Sequence, residues 1–503
     1  SSESNLDAGD KANDAIRITA REVGAKVVGE GANLGMTQRA RIEYGLHGGR
    51  CNSDAIDNSA GVNSSDVEVN IKIALKPAMD DGSLPRPKRN KLLAEMTETV
   101  AALVLENNYH QTLAISLAEK RGLAIVSLQQ RLMEYLEERG ALNRAVEFLP
   151  ENDVIAERKK SGKGLTRAEI GVLLSYAKIV LFDDLVKSHL PDDPYLHADL
   201  MAYFPPRMVK NFAERIEAHR LRREIIATQL ANEAINRGGT SLISRFEDAT
   251  GMLPSGIVRA HVAVRDGYGF APLYDAVDAL DNKISGERQL AIYEELGNAL
   301  RQATGHFIKT GESHAPLEGS VAALRDAAKV LEPKLSSVMP AYLVEWVGER
   351  QQALTQDGLS DAVAKRIALM PILAMTPDIL SVSKASGRSV LDSAEAMFAV
   401  TEMFRIGRLE RLAYDLSTDD YFDGLAQNRA LDNIYAARIA ITNAALAAVG
   451  SKKSARAAAA EWHDANELRI GRVQDRIGDM TTSGGLTVSR LTVAAGLLAD
   501  LVS

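Results

Sequence analysis

The chain carries a single cysteine, Cys51, in 503 residues, which excludes an internal disulfide and suits a reducing, cytoplasmic setting. It contains no uninterrupted apolar run of membrane-spanning length and no charged-then-apolar N-terminal signal, so neither a membrane partner nor a secretory leader is expected. Basic residues do not predominate. The 59 Lys and Arg against 67 Asp and Glu leave a net charge of −8, the wrong sign for a nucleic-acid scaffold, whose cations must neutralise phosphates. Any anionic ligand must therefore be held by local donors. The nine histidines show no His-Glu-x-x-His or paired ligand spacing and give a metal site no support. No repeat of fixed period marks a solenoid.

What is present is the composition of an ordinary globular protein, 46% hydrophobic and 25% charged. The length calls for two or more domains, because single cores stop growing at roughly 250–300 residues. From Pro85 onward, apolar residues recur at three- and four-residue spacing over 88–106, 124–138, 166–189, 206–236, 254–266, 285–308, 317–333, 340–355, 359–383, 389–414, 425–449, 454–479 and 486–502. The punctuation between these runs is helical, and no alternating run flanked by hairpin turns interrupts them. A large, bundle-like helical region is expected here.

The stretch from Lys26 to Leu75 is different. It sets two short apolar runs and two glycine-rich turns within about one βαβ unit. Residues 13–25 read as an amphipathic helix with Ala15, Ile16, Ile18 and Val23 inward, and Lys26 to Gly29 as a short buried strand. Thr37 is the expected N-cap of a helix that ends at His47-Gly48-Gly49. Ala55–Ile56 reads as a second strand-like piece. Val67, Val69, Ile71 and Ile73 follow a cap signal at Ser64 or Ser65 and are assigned to a helix.

The first turn, Gly29-Glu30-Gly31-Ala32-Asn33-Leu34-Gly35, is one residue off the common dinucleotide spacing, so it is either a cofactor-binding turn or a tight packing turn. Asn33 adds a carboxamide able to donate to and accept from a ribose or an amide. The second, running from Asp57 through Asn58 to Asp66, puts hydroxyls and glycine at a helix start, an arrangement that binds carboxylates. Ser65 and Glu68 equally fit a capping box.

These residues carry a resemblance. VVGEGANLGMTQRARIEYGLHGGRCNSDAIDNSAGVNSSDVEVNIKI, with LTRAEIGVLLSYAKIVLFDDL, LPDDPYL, YFP and HRLRREIIATQLANEAINRGG downstream, resembles the large multi-domain bacterial NAD-dependent glutamate dehydrogenases over essentially the whole chain. The first part also resembles the nicotinamide-domain end of ordinary glutamate dehydrogenases, with their E-G-A-N, N-A-G-G-V and S-Y-x-E motifs. The resemblance implies a mainly α protein: a remnant of a Rossmann-like α/β nicotinamide-binding domain over residues 1–120, then a helical domain over 121–503. It implies NAD as cofactor, bound by Gly31, Ala32, Asn33 and Asn58, and L-glutamate or 2-oxoglutarate as substrate, bound by Asn58 and Ser65.

Two departures stand out: Ser59-Ala60 replaces Ala-Gly, and Asp66 replaces the tyrosine beside the proposed carboxylate site. The family's proton-transferring lysine and aspartate have no match here. The chain is therefore expected to be the C-terminal portion of a longer homo-oligomeric enzyme, tetramer or hexamer, inactive without its N-terminal part. The alternative is a non-catalytic helical module for regulation or assembly.

Other short patterns have plainer readings. Lys309-Thr310-Gly311 and Ser381-Val382-Ser383-Lys384 occur in the reverse of the order that serine β-lactamases require. Ser161-Gly162-Lys163-Gly164 reads as a joint before a capping box at Thr166 and Glu169. His219-Arg220-Leu221-Arg222-Arg223-Glu224 reads as a solvated or salt-bridged face within a long helix.

Overall fold

Hydroxyl residues precede many of the apolar runs, and they set where the helices begin. Thr37, Thr166, Ser285, Ser389, Ser454 and Thr487 each accept a backbone N–H from the turn that follows, relieving donors that a helix start leaves unpaired. The structure, a computed structural model, describes residues 3–31, 35–311, 315–416, 420–449, 454–482 and 485–502. It divides into two compact units: residues up to 248 with 252–258, and residues 249–251 with 259 onward.

In the first unit the helices that matter for the site are α1 (Gln38–Leu46), α2 (Asp54–Asp57), α3 (Ser59–Asp80), α4 (Thr97–Arg121), α5 (Arg167–Lys187) and α6 (Arg222–Gly238). Helix α5 lies at the centre and packs against α1, α2, α4 and α6. Its buried side chains, among them Ile170, Val172, Leu173, Leu174, Leu181 and Leu185, lie all round the helix, as they must in one enclosed by neighbours. Its start is fixed by the expected box. Thr166 and Glu169 cap each other, and both Glu169 oxygens accept from Arg158 at 2.9 and 2.8 Å.

The second unit is likewise helical: α7 (Gly286–Lys309), α8 (Thr376–Ser386), α9 (Val390–Met403), α10 (Tyr421–Val449), α11 (Ala455–Ala465) and α12 (Val488–Ala499), with further helices between. Helix α10 packs on α8, α9, α11 and α12. Its Ile434, Ile441 and Ala445 share a core with Trp462, Ile470, Leu491 and Leu498. Among the described residues no single helix is long and apolar enough to cross a membrane; one bent pair, Asp361–Leu373 with Thr376–Ser386, reaches that composition and buries Ile367, Ile379 and Val382 within its unit.

Several expectations are corrected. No strand occurs among the described residues, so no Rossmann-like α/β remnant is present. Lys26–Gly29 contributes only an isolated parallel bridge, Val27 to Arg50, with hydrogen bonds from Val28 N to Arg50 O at 2.9 Å and Arg50 N to Lys26 O at 3.0 Å. A strand needs a ladder of partners, and one residue supplies the whole of it here. Ala55–Ile56 lies in α2, not in a strand.

Residues 13–25 hold two short 3-10 turns, Lys11–Ile16 and Ala20–Glu22. Ala15, Ile16 and Ile18 are exposed, while Ala20 is buried and Val23 packs beside it against Tyr44 and Cys51. The expected helices over 88–106, 206–236, 359–383, 389–414 and 454–479 are each broken in two. The break within 389–414 is at Arg405, whose φ of 53° is left-handed. The basic run from His219 is not helical throughout; it straddles the turn into α6. There Arg223 donates to Val186 O and Ser188 O at the end of α5, and His219 accepts from Leu221 N at 3.0 Å.

Candidate functional site

The site grows from one buried cation. Arg41, on α1, is fully buried, and a guanidinium taken from water needs carboxylates and carbonyls around it. It pairs with Glu30, lies 3.6 Å from both Asp54 and Asp57, and donates to Asn52 O at 3.1 Å. Glu30 in turn folds back over its own loop, where one carboxylate oxygen accepts the Gly35 N–H. The Glu30 N–H donates to Asp57 Oδ2 at 3.2 Å, and Asn52 Nδ2 donates to Asp57 Oδ1 at 2.9 Å. Arg41 and Asp57 thereby fasten the first glycine turn beside the start of α3.

Of the residues singled out in sequence, Gly31 stands exposed in that turn with no atom within 4 Å of where a Cβ would sit, so a ligand can approach its backbone. Ala32 and Asn33 lie outside the described residues. Asn58 follows Asp57, caps the junction of α2 and α3, and is half-buried. Its carboxamide makes no hydrogen bond to the helix start and has no partner among the described residues.

Ser65 does not begin a helix. Helix α3 starts at Ser59, which leaves Ser65 exposed in its interior and corrects the Ser65–Glu68 capping box. At i+7 it shares a face with Asn58, about 10 Å further along the axis. Val67 and Ile71 are buried as expected of this helix, Ile73 is half-buried and Val69 is exposed.

A polar layer lies between α3, α4 and α5. The Ser59 hydroxyl donates to Asn108 Oδ1 at 2.6 Å, and Gln111 Nε2 donates to Ser59 Oγ and, at 3.2 Å, to Asn108 Oδ1. Asn107 Nδ2 reaches Asn63 Oδ1 at 3.3 Å. Lys178, from the middle of α5, donates to Gln111 Oε1 at 3.3 Å. Burial lowers its ammonium to about 7, since desolvation penalises the charged form. Sequence reading passed over this residue; the available signal was one lysine inside the apolar run from Val172 to Phe182.

Cys51 is buried, and burial pushes its thiol up to about 11. Among the described residues no three His, Cys, Asp or Glu converge as metal ligands.

Residues 162–500 match a family model described as "Glutamate dehydrogenase, C-terminal", and residues 1–118 one described as "Bacterial NAD-glutamate dehydrogenase, catalytic domain". The NAD-specific glutamate dehydrogenase of Pseudomonas aeruginosa is 36% identical over 501 residues, covering 100% of this chain and 31% of the relative. That of Halomonas elongata is 33% identical, covering 96% of this chain and 30% of the relative; that of Mycobacterium tuberculosis is 29% identical, covering 98% and 30%. The chain thus spans less than a third of the length of these relatives.

Fold and site define a mainly helical protein with an unpartnered carboxamide set at a helix start. More narrowly, the chain belongs to the glutamate dehydrogenase family described by the C-terminal model.

Proposed function

We propose that this chain is one part of an NAD-dependent glutamate dehydrogenase, in which residues 1–120 form one wall of the cofactor and substrate cleft and residues 121–503 a helical domain. The observation that carries this reading is the free carboxamide of Asn58, next in sequence to Asp57, which Arg41 and the Glu30 N–H fasten beside the open turn of Gly31. NAD fits these residues: the backbone at Gly31 is approachable, and Asn58 offers both a donor and an acceptor.

NAD held here would supply the hydride acceptor for the α-carbon of L-glutamate, and the imine left behind would be hydrolysed by water to 2-oxoglutarate and ammonium. In this chain Gly31, Ala32 and Asn33 line the ribose side. Asn58 orients the reacting ends, and the exposed hydroxyl of Ser65 donates to a substrate carboxylate. The lysine and aspartate that move protons come from outside this chain, in a longer polypeptide of which it is the C-terminal portion, working in the cytoplasm as a homo-oligomer.

Ser65→Ala in the longer polypeptide is expected to raise the KM for glutamate roughly tenfold, the effect of one hydrogen bond to a charged group, with the KM for NAD unchanged. Steady-state kinetics decide it. An unmoved KM for glutamate removes Ser65 from the substrate site.

A further inference from the structure

Four other cations of the first unit, two buried and two half-buried, meet carboxylates. Arg41 has Glu30, Arg144 has Glu137, Arg158 has Glu169 and Arg167 has Glu119. Lys178 differs. It is half-buried, it has no carboxylate partner among the described residues, and its one hydrogen bond is to the neutral Gln111. Burial is what depresses its ammonium. An ammonium kept out of water without a counter-ion is costly. A partner that arrives with a ligand gives the position a use.

The surroundings indicate where that ligand sits. By donating to Gln111 Oε1, Lys178 fixes which way that carboxamide faces and turns its Nε2 toward Ser59 and Asn108. Ser59 is the first residue of α3 and follows Asn58 directly. An anion at this end of α3 would meet the ammonium, the carboxamide of Asn58 and the positive end of a 22-residue helix. The layer itself, Ser59, Asn63, Asn107, Asn108 and Gln111, is uncharged.

We propose that Lys178 is a substrate-binding residue that receives a carboxylate of the dicarboxylate substrate beside Asn58. The assignment rests on the reading of the chain as part of a glutamate dehydrogenase and adds to it a ligand from the helical region.

The test uses the longer polypeptide that contains this chain, as wild type, Lys178→Met and Lys178→Arg, with 2-oxoglutarate as the probe. Calorimetric titration near pH 8 in buffers of different ionisation enthalpy reads affinity and proton uptake together. Wild type is expected to take up part of a proton on binding, because an ammonium that is mostly neutral in the free protein becomes charged against the carboxylate. Lys178→Met is expected to lose that uptake and to bind 2-oxoglutarate roughly 10- to 100-fold more weakly, the span of one charge-assisted hydrogen bond. NAD affinity should not change, and Lys178→Arg should restore most of the lost affinity.

Methionine replaces a desolvated cation by an apolar chain of similar length, so the variant should melt no lower than wild type. Unchanged affinity and proton uptake in Lys178→Met overturn the proposal. So does a lowered melting temperature with unchanged KM for glutamate, which would make Lys178 a packing residue. If the wild-type polypeptide shows no glutamate-dependent reduction of NAD, the underlying reading fails and this proposal with it. An active enzyme indifferent to Lys178→Met overturns Lys178 alone.

Discussion

A buried cation is informative through what surrounds it. Arg41 sits among Glu30, Asp54 and Asp57, so its charge is answered within the protein and its work is architectural: it joins two loops. Lys178 is not answered in that way, and its ammonium is lowered to about 7 from the ordinary lysine value of 10.5. A basic group depressed on folding binds more protons in the unfolded chain between those two values, so stability rises with pH across the interval, by at most about 1.4 kcal/mol per unit. Below pH 7 the group is charged in both states and the whole penalty is present. Lys178→Met removes the penalty at every pH. Denaturant midpoints should therefore show the variant ahead of wild type at pH 7 and the gap closing toward pH 10. A gap independent of pH would mean that Lys178 keeps its ordinary ionisation.

At the scale of elements, the central helix α5 shows what packing adds to local signals. Its start is legible from Thr166 and Glu169 because both halves of the box lie within one turn. The fit at Gly171 is not legible, since its reason comes from elsewhere in the chain: a Cβ there would stand 2.8 Å from Ser53 Oγ and 3.2 Å from Ile56 Cγ1. Glycine lets α2, and with it Asp57 and Asn58, dock on α5. Gly171→Ala is expected to lose roughly 1–3 kcal/mol, as overpacked sites do, measured as a lower denaturant midpoint; an unaltered midpoint would show that α2 can withdraw freely.

The misread elements fail for a similar reason. Val27 and Val28 have strand-forming side chains, yet the described residues offer only Arg50 as a partner. Ser65 and Glu68 have capping spacing, yet α3 already begins at Ser59, whose hydroxyl is engaged by α4. The helices beyond Pro85 were legible because their period is written in every turn. The break at Arg405 was not, because an arginine in the left-handed region is no local stop such as glycine, asparagine or proline.

The molecule as a whole has two compact units, each with a polar anchor inside its helices. In the second unit Asp378 accepts from Arg438 at 3.0 Å and pairs with His306 at 3.1 Å, all three buried. Burial alone would raise the Asp378 carboxyl; its contacts with His306 and Arg438 outweigh that and hold it below the usual range. Asp378→Asn leaves Arg438 with the more distant Glu410, at 3.6 Å, and breaking a buried pair costs about 3–5 kcal/mol. Separate cores unfold separately unless a large apolar surface couples them. Scanning calorimetry of the chain should then resolve two transitions, one lowered by Gly171→Ala and the other by Asp378→Asn. A single transition moved by both substitutions would show instead that the chain unfolds as one cooperative block.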